Sequence, residues 1–308
     1  MCDSVVSSNL GRPRAANTKA LMGIGLLIAA VACFAILDTT TKRVTAEVPL
    51  LMAIWARYII QALLTTAYVL PQRGLTILRT PNLPMQLTRG VLLMLVTLLA
   101  FLSLKHLPVG EFTAIAMTTP LLVTLLAARL LGEHVSAFRL MLVGGGFIGT
   151  MVIVRPGGDA FGWAMLLPVA LVIINAAFQL LTSRMTRTED SLTTQFYTGW
   201  VGTLIATVPL LWSWVAISDL HIWLGLILMG VAGAVGHFLL IMAYERTSTA
   251  TLMPYMYVQI GFAMLGGWIM FDHVPDHLSM LGIGLIALCG IAGGLLTVHE
   301  SSRRRQLA

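Results

Sequence analysis

Arg57 is the residue whose setting most needs a chemical explanation. It follows Leu50-Leu51-Met52-Ala53-Ile54-Trp55-Ala56 and precedes Tyr58-Ile59-Ile60, a stretch with no other charge. An ionisable group in such surroundings costs about 3 kcal/mol or more, so it must meet an anion, a water-filled cavity or backbone carbonyls. The planar guanidinium, with five donors in a fixed fork, suits a carboxylate or phosphate held by two prongs. Two readings follow: Arg57 binds an anionic group of a ligand, or it pairs structurally with Asp38 or Glu111. Asp38 and Lys42 stand four residues apart on one helix face, as a solvated pair or with Asp38 linked to a proton or substrate. Glu111 follows Pro108 in the first turn of a helix, where its charge suits the helix dipole; proton coupling is its other reading.

Uncharged polar residues form a second layer. Asn175 and Gln179 share one helix face, Tyr255 and Gln259 share another, and His237 lies among Gly230, Gly233 and Gly236. Such groups either tie helices together or line a cavity for an amphipathic small molecule, with Trp55, Tyr197 and Tyr257 as candidate aromatic walls. Pro120 and Pro254 interrupt apolar stretches and are expected to free backbone carbonyls or act as bending points.

Several chemistries are disfavoured. Asp272, His273, Asp276 and His277 have metal-like spacing, but Glu133-His134 stands at a corresponding place earlier in the chain, so a duplicated helix-end signature accounts for them and no metal is expected. No G-x-x-x-x-G-K-[ST] loop occurs, which excludes ATP hydrolysis by this chain. Cys2, Cys33 and Cys289 lack any C-x-x-C spacing and read as small hydrophobes rather than a disulfide or metal framework. His106 and Glu111 form an H-x-x-x-x-E that faintly resembles an acyltransferase pair, yet Pro108 lies between them and no second nucleophile or phosphate loop accompanies them. A membrane enzyme such as an acyl or lipid-phosphate transferase therefore stays an alternative, as does a membrane subunit with no flux of its own. No cofactor is implied.

The elements that must position these residues follow from composition. The chain has 308 residues, 57% hydrophobic and only 10% charged, with a mean hydropathy of +0.88. A soluble globule carries about 25% charge, so lipid must be the main solvent. The net charge of +6 then marks loops rather than nucleic acid. Ten apolar segments are expected at 20–40, 49–70, 87–105, 109–131, 136–154, 162–182, 194–217, 221–243, 248–271 and 277–297, each near the roughly 20 residues that cross a bilayer as a helix. The first resembles a signal peptide ending at Ala30-Val31-Ala32-Cys33, but its apolar run continues to Leu37, long enough to span.

Lysine and arginine set the orientation. With a cytoplasmic N-terminus, fourteen fall on inner segments, namely Arg12, Arg14, Lys19, Arg73, Arg79, Arg89, Arg129, Arg139, Arg184, Arg187, Arg246 and Arg303–Arg305. Only Lys42, Arg43, Lys105 and Arg155 fall outside, which places both termini in the cytoplasm. A repeat is also visible. Leu131-Gly132-Glu133-His134-Val135 is echoed by Met270-Phe271-Asp272-His273-Val274, and the same offset pairs Leu142 with Leu281, Gly145 with Gly284 and Gly23 with Gly162. An offset three residues longer pairs Thr41-Lys42 with Ser183-Arg184 and Trp55 with Tyr197. Because each unit holds five spans, the second copy enters from the opposite face. The expected class is an all-α membrane protein of ten transmembrane helices in two inverted five-helix repeats, an arrangement typical of secondary transporters. The expected divisions are a cytoplasmic tail 1–19, repeats 20–154 and 162–297, and a basic cytoplasmic tail 298–308.

Thr119-Pro120-Leu121-Leu122, Leu131-Gly132-Glu133, the glycine-rich run Gly144–Gly149, Asp38-x-x-x-Lys42 and Trp55-Ala56-Arg57-Tyr58 together resemble the drug/metabolite transporter superfamily, in its ten-helix EamA-type branch. Asp272 stands where that family usually has glutamate, and Phe271 where it has glycine. The resemblance implies a multi-pass protein of a bacterial-type inner membrane that moves small organic metabolites, by export or exchange, between two inverted repeats. Expected partners are a small-molecule metabolite and the lipid bilayer, with no nucleic acid. The stripes Gly145-x-x-x-Gly149 and Gly290-x-x-x-Gly294 are close-packing surfaces that could join two copies as a homodimer.

Overall fold

The computed structural model describes residues 12–106, 112, 115–154, 163–271 and 276–306. Among them are eleven α-helices, two short 3-10 turns and no strand. The helices are α1 (Arg12–Val44), α2 (Leu50–Arg73), α3 (Leu83–His106), α4 (Thr119–Leu130), α5 (Ala137–Val154), α6 (Leu166–Met185), α7 (Ser191–Leu210), α8 (Leu220–Arg246), α9 (Thr249–Met256), α10 (Val258–Phe271) and α11 (His277–Gln306). Helices α9 and α10 are two parts of one span, so the bundle has ten spans. Hydrocarbon offers the backbone no hydrogen-bond partners, which is why these apolar stretches close their own ladders as helices.

Boundaries moved where local signals outweighed hydropathy. Helix α3 starts four residues earlier than its apolar stretch, because the Asn82 side chain accepts from Met85 N at 3.3 Å and Pro84 suits a first turn. Helix α7 stops at Leu210 rather than 217: Pro209 cannot donate to the ladder, and Asp219 caps the next helix by accepting from His221 N. Helices α1 and α11 run on into both expected tails, from Arg12 and to Gln306, since neither flank offers a strong helix stop within those bounds.

Spans four and nine are both interrupted. Pro254 removes one ladder donor, and the ninth span turns at Tyr257 between α9 and α10. In the fourth, Met117-Thr118 form a turn ahead of α4, with Pro120 in its first turn. The two breaks touch: Tyr257 OH donates to Met117 O at 3.3 Å. They also correspond, since Thr118 and Tyr257 are 139 residues apart, as the repeat demands.

The helix pairings share this symmetry. Counting spans, one packs on eight as six packs on three, two on eight as seven on three, and one on nine as six on four. Spans two and seven, four and nine, and five and ten pair with their own counterparts. Adding five spans thus maps each of these principal contacts onto another or onto itself, the pattern a two-fold relation between halves produces. Capping repeats too: Ser136 accepts from Arg139 N as Asp276 accepts from Ser279 N. Asp276 therefore serves as a helix cap; Asp272 and His273 lie outside the described residues, among which no metal-like cluster occurs.

Small residues allow the closest crossings. At the α2–α7 crossing a Cβ on Gly199 would lie 2.9 Å from Ala62 Cα, and one on Gly202 2.1 Å from the Tyr58 ring. The stripe expected to join two copies is occupied within the chain: a Cβ on Gly145 would meet Cys289 Sγ at 2.6 Å, and one on Gly149 the Gly282 carbonyl at 3.0 Å.

Candidate functional site

Helices α2, α4, α6 and α8 all end at one face of the bundle, with Arg73, Arg129, Arg184 and Arg246 in their last turns. This basic end is distinct from the opposite end, where α1 finishes at Lys42 and Arg43. Arg57 stands seven residues into α2 from the opposite end, about 10 Å along the axis at 1.5 Å per residue. Its side chain crosses the interface between halves. Nη1 donates to Thr97 Oγ1 on α3 at 3.0 Å, and Nη2 contacts His237 Nε2 on α8 at 2.9 Å. Tyr58 OH shares the same threonine oxygen at 3.1 Å.

Arginine can only donate, so His237 accepts at Nε2 and carries its proton on Nδ1. That Nδ1 donor, Arg57 Nε and both polar atoms of the Gln61 amide are buried without a hydrogen-bond partner among the described residues. No carboxylate among the described residues lies within ion-pair distance of Arg57. Asp38 feels its charge but hydrogen-bonds to Gln259 Nε2 at 3.0 Å instead. Neither Asp38–Lys42 nor Asp38–Arg57 forms an ion pair; Lys42 is exposed one turn further along α1, and Glu111 lies outside the described residues. The glycines around His237 make room for side chains: added Cβ atoms at Gly230, Gly233 and Gly236 would meet Ile60, Arg57 and Phe34.

The other expected residues divide. Gln179 Nε2 donates to Asn175 Oδ1 at 3.4 Å and its Oε1 accepts from Tyr244 OH at 3.0 Å, forming a chain across α6 and α8. Trp55 donates to Thr207 Oγ1 at 3.0 Å, matched by Trp200 donating to Thr66 Oγ1; both tie α2 to α7. Tyr197 donates to Leu78 O at 2.8 Å in the 3-10 turn at the basic end. Tyr257 is fully buried, plugged between the two helix breaks against Gly146. Tyr255 packs beside Gly293 with its hydroxyl unpartnered among the described residues, and the turn at Tyr257 separates it from Gln259, so the two do not share one continuous helix face.

A set of residues escaped the sequence reading. Arg89, expected among the cytoplasmic-side charges at the start of the span 87–105, is fully buried in the second turn of α3 because that helix begins early. Its Nε donates to Thr182 Oγ1 at 2.9 Å, Nη1 to Thr198 Oγ1, and its guanidinium lies 4.8 Å from the Phe178 ring centre. Phe178 also faces His237, at 6.1 Å between ring centres. Arg57, His237, Phe178 and Arg89 thus form a buried file running toward the basic end.

That end is fastened across the halves. Glu133 accepts from Thr249 N at 3.0 Å and Ala250 N at 2.8 Å, capping α9, and Arg139 donates to Thr251 Oγ1 at 2.7 Å. Buried Glu189 accepts from Thr80 Oγ1 at 2.7 Å and Gln86 Nε2 at 3.0 Å. Arg73 pairs with Asp190 at 2.6 Å. Partial burial pushes the Asp190 carboxyl up, but the Arg73 hydrogen bond and the Thr193 donors outweigh it, leaving it below the usual carboxylate range.

Residues 21–155 match the EamA-like transporter family. The match covers the first of the two expected repeats. A riboflavin transporter of Rhizobium johnstonii is 27% identical over 296 residues, covering 94% of this chain and 95% of its own length. A pseudopaline exporter of Pseudomonas aeruginosa is 29% identical over 278 residues, covering 88% and 96%. An S-adenosylmethionine uptake transporter of Rickettsia conorii is 22% identical over 266 residues, covering 86% and 90%. One solved crystal structure shares the fold with a TM-score of 0.77, covering 91% of this chain and 98% of that one at 19% identity. Over most of its length the chain resembles these transporters, and it is a multi-pass membrane transporter of small molecules rather than an enzyme.

Proposed function

We propose that this transporter is a secondary carrier of small organic anions, holding a carboxylate or phosphate of its substrate at Arg57. The observation that carries this reading is a buried guanidinium with hydroxyl and imidazole partners but no acid beside it among the described residues. A cation with no ion-pair partner at that depth is tolerated where a ligand supplies the counter-charge during part of the cycle. The relatives are named for different substrates and for both uptake and export. The site chemistry, rather than the relatives, therefore defines the substrate class.

The two repeats, 20–154 and 162–297, rock about the touching breaks of spans four and nine, opening one end while the other closes. The fastened basic end is the closed one here. Purified protein in liposomes is expected to exchange organic carboxylates or phosphates across the membrane, responding to their gradients and indifferent to ATP. Accumulation driven by ATP alone in pure-protein vesicles would defeat the carrier reading. Exchange confined to uncharged compounds would defeat the anion reading.

The basic end faces the cytoplasm of an inner membrane, on the argument that cytoplasmic loops hold the excess of lysine and arginine. Reporter fusions at Gly74 and Arg187 are expected to report cytoplasm, and fusions at Gly158 and Asp219 the other side. A non-cytoplasmic signal at Gly74 would reverse the orientation.

A further inference from the structure

Arg89 occupies a position that structural stabilisation alone does not explain. It is fully buried, and both arms with partners end on threonine hydroxyls, while Nη2 has none among the described residues. Those hydroxyls are themselves donors to backbone carbonyls, Thr182 to Phe178 O and Thr198 to Thr194 O, each at 2.7 Å. They offer polarised oxygens but no negative charge. An apolar residue of similar volume would fill the site without the desolvation penalty of an unpaired cation. Glu189, which holds Gln86 one turn before Arg89 on α3, is engaged by Thr80 and Gln86.

Location supplies the second argument. Arg89 lies on α3 of the first half against α6 and α7 of the second, at the seam that must part when the basic end opens. It is six residues from the basic end of α3, about 9 Å along the axis, whereas Arg57 is a similar depth from the opposite end. Phe178 stands between the two cationic groups, 4.8 Å from the Arg89 guanidinium and 6.1 Å from the His237 ring that Arg57 contacts. The Gln86–Glu189–Thr80 clasp closes over Arg89 from the basic end.

Resting on the reading of the protein as an anion carrier, we infer that Arg89 forms a second anion subsite. It is sealed in this conformation and takes the substrate's carboxylate or phosphate when the basic end opens. The carrier thereby presents a guanidinium to the anion on each side of Phe178, one for each open state. Full enclosure by the bundle selects a passing solute rather than a lipid headgroup as the source of the anion.

Phenylglyoxal labelling of individual arginines, read by peptide mass spectrometry on the full-length protein in detergent, tests this. The probes are inorganic phosphate and succinate, against chloride at equal ionic strength. In the parent protein Arg89 is expected to resist labelling. In Glu189→Ala, which removes the clasp, it should label, and phosphate or succinate should slow that labelling about tenfold, the effect of one charge-assisted pair. The protection at Arg89 should persist when Arg57→Leu is added. A melting curve for each variant establishes that it is folded, and Glu189→Gln provides a milder opening if the alanine variant is not. Arg89 remaining unlabelled in both folded variants, or labelling equally with and without anions while Arg57 is protected, overturns the second subsite alone. Failure of either anion to protect Arg57 as well as Arg89 overturns the anion-carrier reading beneath it.

Discussion

Replacing Arg57 with leucine is expected to abolish anion transport while leaving the melting temperature of the protein unchanged or slightly higher. The structure gives Arg57 no ion-pairing acid among the described residues, so its removal leaves Asp38 its Gln259 hydrogen bond and takes away only a more distant cation. It also relieves a buried cation, a change that is commonly neutral or stabilising when the replacement packs well. Arg57→Lys should keep the charge but lose the fork that spans Thr97 and His237. Loss of a two-pronged contact of this kind should weaken substrate affinity about 10- to 100-fold, the equivalent of one or two charge-assisted hydrogen bonds. Melting in detergent beside exchange in liposomes decides the matter. If Arg57→Leu melts well below the parent, the guanidinium is a structural strut. If it transports normally, the anion site lies elsewhere.

Gly202→Val should be the most damaging substitution outside that site. A Cβ at residue 202 would lie 2.1 Å from the Tyr58 ring, and Tyr58 is fully buried with its hydroxyl on Thr97, the oxygen that also receives Arg57. The ring cannot withdraw without parting α2 from α7 or breaking that hydroxyl contact. Overpacking of this sort destabilises by about 1–3 kcal/mol, and the displaced Tyr58 should also weaken substrate binding at Arg57. Gly202→Ala should show a smaller loss in the same direction. Pairing Gly202→Ala with Tyr58→Leu should restore much of the melting temperature, because the shorter side chain vacates the space. Normal melting of Gly202→Val would mean that the α2–α7 crossing is looser than the structure shows.

Fold was legible to the extent that it depended on hydrophobic length and repetition. Backbone groups have no partner in hydrocarbon, so each long apolar stretch could only be a helix. The offset that pairs Leu131-Gly132-Glu133 with Met270-Phe271-Asp272 marked the duplication. Boundaries failed where a side chain overrode hydropathy. Asn82 and Pro84 started α3 early and carried Arg89 from the rim of its expected span deep into the bundle, while Pro209 ended α7 short. The site was partly legible. A charge within an apolar run identifies itself, which is why Arg57 stood out, and proline at 254 announced the break at Tyr257. The roles of Tyr197 and Tyr257 did not follow, because an aromatic residue reads alike whether it walls a cavity, props a turn or plugs a helix break.

Sequence by itself thus determined the solvent, the helices, the duplication and the presence of one cation deep in an apolar run. Each rests on local composition or on comparison of the chain with itself. Tertiary structure decided which groups meet. Thr97 and His237 are 140 residues apart, yet both reach Arg57, because spans two, three and eight converge at the seam between halves. It also decided that Asp38 turns to Gln259 rather than to Arg57 or Lys42, and that Glu133 caps a helix in the other repeat. Those choices depend on helix rotation and crossing, set by where Gly199, Gly202, Gly230 and Gly233 let backbones and side chains approach. No periodicity along one chain encodes the partner across such a crossing.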